Sequence, residues 1–120
     1  MGKTRTAAES AGPLRIRTLA AGAATGFSVH RISMRGGASH PALHQARTCE
    51  FFLVTRGGAQ AMIGGVRRRL RPGDHVSLAP GTVHGFRAGP QGVEVLAVFR
   101  PPLDLSRPDI VLEEGPDASS

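Results

Sequence analysis

Glycine and proline recur too often in this sequence for a helical protein. Sixteen Gly and nine Pro fall between short runs that are apolar or alternate in polarity. That is the pattern of strands joined by turns, so the chain reads as all-β. Residues 14–19 (Leu-Arg-Ile-Arg-Thr-Leu) alternate with period two, as a half-buried strand does. In residues 27–34, Phe27, Val29 and Arg31 share one face, and Ser28, His30, Ile32 and Met34 the other. Gly64 and Gly65 suit a two-residue hairpin turn, in a register that sets Ala59, Ala61 and Ile63 against Leu70, Arg68 and Val66. Residues 75–79 and 84–88 read as two short strands. Residues 89–92 (Gly-Pro-Gln-Gly) then turn the chain into residues 93–99, the most apolar strand, and Pro101 and Pro102 end the regular pattern.

A chain of 120 residues can bury one core but not two. The expected divisions are a loose arm over residues 1–13, a barrel over 14–102 and an acidic tail over 103–120, with a final strand at 110–112. Charge is unevenly spread within a net +6. Residues 14–100 hold twelve Arg against Glu50, Asp74 and Glu94, while the last twenty hold Arg107 against five carboxylates. A basic barrel can meet nucleic acid, an acidic metabolite, an acidic partner through Arg67, Arg68, Arg69 and Arg71, or its own tail. Tyr and Trp are absent, which removes stacking platforms and argues against nucleic acid. The single Cys49 excludes an internal disulfide and fits a reducing, cytoplasmic setting. No stretch reads as a signal peptide or a bilayer span, so no membrane partner is expected.

Two stretches carry the chemistry. In the first, His40, His44, Cys49 and Glu50 precede an apolar run, Phe51 to Val54, that ends at Gly57 and Gly58. If no bulge intervenes, strand parity puts His44, Ala46, Thr48, Glu50, Phe52 and Val54 on one face. In the second, Gly73 begins a short strand that leads to Pro80, Gly81 and His84. These stretches resemble the paired motifs of the cupin family, whose fold is a double-stranded β-helix or small jelly-roll barrel. The family's first motif runs Gly, five residues, His-x-His, three or four residues, Glu, six residues, Gly. Glu50 and Gly57 keep that spacing. In the shorter variant the two His positions fall on His44 and Ala46; in the longer they fall on Leu43 and Gln45. Gly73, Gly81 and His84 match the second motif, with its Pro displaced by one to Pro80.

The resemblance implies a divalent ion (Fe, Mn, Zn or Ni) held by His44, Glu50 and His84, which are also the candidate catalytic residues. A two-His-one-carboxylate set leaves positions open for substrate, oxygen or water. Arg68, Phe52, Phe86 and Met34 are the candidate substrate contacts. The function implied is a small enzyme acting on a small organic metabolite by Lewis-acid and acid/base chemistry: an isomerase, cyclase or lyase, polyketide cyclases being among compact cupins. Iron dioxygenase chemistry is the second enzymatic option. A metal-free ligand-binding or sensor domain is the alternative, since a barrel histidine also serves as a satisfied core residue and Glu50 with His84 as a buried ion pair. Cupins commonly dimerise, so a homodimer is expected.

Overall fold

The computed structural model describes residues 9–22 and 24–113, and every described element is a strand. In order they are β1 (Glu9–Ala11), β2 (Leu14–Gly22), β3 (Phe27–Met34), β4 (Ser39–Gln45), β5 (Cys49–Ile63), β6 (Val66–Leu70), β7 (His75–Leu78), β8 (His84–Arg100) and β9 (Ile110–Leu112). All pairings are antiparallel. The expected arm over residues 1–13 falls in part on β1, which pairs with β2; residues 1–8 lie outside the described residues, as do 114–120 of the acidic tail.

Two long strands organise the sheet. β8 runs unbroken for 17 residues, so residues 89–92 do not return the chain as a turn but bend it within one strand. Along one side β8 pairs with β5 over nearly its whole length; along the other it pairs first with β4 and then with β3. β5 is bent likewise, with register shifts between Val54 and Arg56 and between Gly57 and Ala59. Bulges of this kind let one strand serve two walls of a barrel. The result is a curled antiparallel sheet of the double-stranded β-helix type, sheet order β1-β2-β3-β8-β4-β9, with β5, β6 and β7 completing the second wall. The β5–β6 hairpin turns at Gly64 and Gly65 in the register expected from sequence.

Inward-facing residues of both walls form the core: Ile16, Ile32, Phe52, Val54, Ala61, Leu70, Val76, Leu78, Ala97 and Phe99. One polar knot is built into it. His30, essentially inaccessible, meets Thr18 Oγ1 through Nδ1 (3.0 Å) and Ser28 Oγ through Nε2 (2.7 Å). Ser28 Oγ in turn accepts the Leu103 N–H at 2.9 Å, which ties the start of the C-terminal segment to β3. Buried polar groups of this kind hold position because leaving any one unpaired costs about 1–3 kcal/mol. None of the described elements is a helix long and apolar enough to cross a membrane.

Candidate functional site

Between the two walls lies a cavity of about 150 Å³, partly open to solvent. Its lining is apolar except for Ser33, His40, Gln45, Glu50 and His84; Gln45 bonds Glu50, and the His40 ring lies 6.3 Å from that of His84. β4 supplies His40 and Gln45, β5 supplies Glu50, and β8 supplies His84 at its first residue. A bulge between His40 and Leu43 lets both Leu43 and Gln45 face inward after it.

Glu50 is half-buried in this lining, and the desolvation pushes its carboxyl up to about 7, against the opposing hydrogen bond from the Gln45 side chain. Burial likewise lowers His84, with a smaller opposing contribution from its bond to Thr82 and added lowering from His40 and His44. His84 Nδ1 lies 2.9 Å from the Thr82 carbonyl. A carbonyl only accepts, so Nδ1 carries the proton and Nε2 the lone pair. His40 Nδ1 is set the same way on the Pro41 carbonyl at 2.9 Å. Phe86 sits at the centre of an aromatic wall, its ring 5.1 Å from His40, 5.7 Å from His84 and 5.5 Å from Phe52.

The expected site residues divide. Glu50, His84, Phe52, Phe86 and Met34 all line the cavity. His44 does not: its Nδ1 pairs with Glu113 Oε2 at 2.5 Å. Parity misplaces it because residues 46–48 turn rather than extend, so alternation counted back from Glu50 does not survive into β4. After the bulge, the inward positions on β4 are Leu43 and Gln45, the longer of the two motif spacings. Arg68 also lies outside the cavity, exposed on β6, which among the described residues pairs with β5 alone.

These placements bear on the implied divalent ion. Leu43 offers no donor atom, Gln45 is already engaged with Glu50, and His44 is turned to Glu113. Among the described residues no three His, Cys, Asp or Glu side chains are placed to hold one ion. The residues present therefore do not fit the four-ligand metal of the motif.

The remaining wall comes from the tail. Leu103, Leu105, Pro108 and Ile110 cover one side of the cavity, and β9 pairs with β4 along Leu43, His44 and Gln45. Asp109 clamps this strap to the β4–β5 turn. Its Oδ2 accepts the N–H groups of Arg47 (2.6 Å) and Thr48 (3.0 Å), and its Oδ1 accepts the Thr48 hydroxyl (2.9 Å). Desolvation works against the carboxylate, but these bonds outweigh it and hold Asp109 below the usual range. Asp109→Ala is expected to lower stability by about 1–3 kcal/mol in urea unfolding. It should also speed amide exchange across β9 more than across β8. The strap was legible only as the isolated strand expected at 110–112; Leu103 and Leu105, apolar residues inside an acidic tail, were the signal for the rest.

The family described as Cupin domain matches residues 29–99. No curated protein sequence matches the chain. Among solved structures, KdgF from Halomonas sp. is 21% identical with a TM-score of 0.73, the match covering 82% of this chain and 88% of that one. Ectoine synthase from P. lautus is 19% identical with a TM-score of 0.75, covering 93% and 84%. An RmlC-like cupin from Shewanella frigidimarina is 24% identical with a TM-score of 0.70, covering 81% and 85%. At these identities the likeness is one of fold.

Proposed function

The chain belongs to the cupin family, and from that premise we propose that it is a small-molecule enzyme that moves protons within its barrel, with Glu50 as the acid/base group. One observation carries the reading: a carboxyl bonded to Gln45 and a histidine with a free Nε2 lone pair line a pocket that is otherwise almost wholly apolar. A carboxyl desolvated to about 7 suits proton transfer near neutral pH, because the group is available in both forms. Gln45 orients it, and neutral His84 offers Nε2 as an acceptor for a substrate hydroxyl. Glu50 would take a proton from a carbon beside a carbonyl and return it at another position. That is the chemistry of isomerisation, and with a leaving group or internal nucleophile it becomes elimination or cyclisation. No step is routed through a metal ion, since the donor set does not support one. The same barrel carries a synthase among the structural neighbours, which makes catalysis on this fold reasonable by analogy.

The test is solvent-deuterium exchange, followed by proton NMR, into a panel of small cyclic ketones and lactones with chelator-treated protein. The wild type should accelerate exchange for some members, and Glu50→Gln should lose that acceleration. The rate should rise with pH to a plateau above about 7, where Glu50 is ionised as a base. Exchange that appears only on adding Mn or Zn would overturn the metal-free assignment. Binding of panel members without exchange would leave a ligand-binding domain, the reading to which Leu43 and Gln45 at the motif's histidine positions also point.

A further inference from the structure

We propose that the cavity selects an uncharged, largely apolar molecule of about one ring, whose single oxygen function meets the few polar groups of the lining, Gln45, Glu50 and His84. This rests on the reading of the cavity as the ligand site, and it adds the class of ligand.

Size sets the first limit. A cavity of about 150 Å³ lined by Leu, Ile and Phe is one that benzene fills. The lining here has that character, with Phe52, Phe86 and Phe99 providing three of the chain's five Phe rings. Flat ring faces and edges favour a ring partner over an open chain of the same volume.

Charge sets the second. Among the described residues, which include thirteen Arg, no basic side chain lines this cavity; Arg68 and its neighbours on β6 are exposed. A carboxylate or phosphate entering here would lose its hydration with no counter-charge and would stand beside Glu50. Burying an ion unpaired costs several kcal/mol. A cation would find Glu50, but one of that group's hydrogen-bonding positions is already taken by Gln45. A buried ion pair formed at such a site scarcely recovers the desolvation of both partners.

Polarity sets the third. A wholly apolar ligand would displace water from Gln45, Glu50 and His84 without replacing its hydrogen bonds, and that loss disfavours it. One hydroxyl on the ring can donate to His84 Nε2 or Glu50 and restore a bond, while the rest of the molecule meets only carbon.

The test uses the full chain labelled with nitrogen-15 at pH 7.5, titrated separately with benzyl alcohol, toluene, benzoate and benzylamine. Benzyl alcohol should shift the amides of Phe52, Phe86 and Val95 and bind at least tenfold tighter than benzoate or benzylammonium, and more tightly than toluene. Either charged probe binding within tenfold of benzyl alcohol would overturn the exclusion of charge. Toluene matching it would overturn the polar contact. The absence of shifts at these strands would overturn the site. Turnover plays no part in these readouts. If the preference holds while deuterium exchange fails, only the catalytic reading falls; if exchange occurs on charged substrates alone, only the ligand class does.

Discussion

Replacing Glu50 with glutamine is expected to stabilise the fold by about 2–3 kcal/mol at pH 8 and to leave its stability nearly unchanged at pH 4. In the unfolded chain the carboxyl ionises near 4.5; in the cavity burial delays this to about 7. Between those values the folded state keeps a proton that the unfolded state has released. Stability therefore falls as pH rises from about 4.5 to 7, and the full deficit persists above. Glutamine keeps a carbonyl oxygen for the Gln45 bond and never ionises, so it removes the deficit where it is largest. His30 and His84 act with the opposite sign: both are lowered by burial, so they cost stability as pH drops below 6.5. They are present in both proteins and cancel in the difference. Urea unfolding of the two proteins from pH 4 to 8 measures it directly; parallel curves at all pH values would show that Glu50 is not desolvated. The same substitution should reduce proton-transfer turnover by about 10²-fold or more. A change that stabilises the protein while removing its activity marks a residue retained for chemistry at the expense of the fold.

What the sequence makes legible here is what local chemistry decides. The hairpin at Gly64 and Gly65 follows from two residues that accept positive φ, and the β5–β6 register follows from the turn. The placing of Glu50 and His84 in the two motifs follows from their spacing. His44 illustrates the limit. Alternation is a property of one extended segment, and neither the bulge at residues 41–42 nor the turn at 46–48 carries a composition signal strong enough to announce a change of face. Choosing between Leu43 with Gln45 and His44 with Ala46 required the register against β8. Residues 89–92 fail for a related reason: Gly-Pro-Gln-Gly is written like a turn, yet the strand passes through it because neighbouring segments approach too closely for side chains. Arg68 shows a third case, where pairing opposite buried Ala61 does not bury a residue on an edge strand.

That close approach leads to the largest effect expected of any single substitution, Gly57→Ala. Gly57 has φ +72°, and a methyl group placed on it would lie 2.0 Å from the Gly92 carbonyl oxygen and 2.8 Å from its carbonyl carbon. Both obstacles are backbone, so no rotamer change relieves them. Gly92 is itself confined, its own added carbon falling 2.8 Å from the Met34 carbonyl oxygen, while one on Gly36 would fall 2.1 Å from that of Pro90. The bends of β5 and β8 and the end of β3 are thus stacked backbone on backbone at one point. Separating them breaks the β5–β8 ladder at the junction between its two halves. One half carries Glu50 and Phe52; the other carries the partners of His84 and Phe86. Gly57→Ala is therefore expected to cost more than about 4 kcal/mol, which for a chain of this size removes most of the stability available. Gly65→Ala provides the control, with a similar φ of +83° but open space around it, and should cost only about 1 kcal/mol from backbone strain. Thermal unfolding of the pair separates strain from collision. If the two variants melt within a few degrees of each other, the bends do not meet as described, and the geometry that brings both halves of β5 and β8 to one cavity loses its cause.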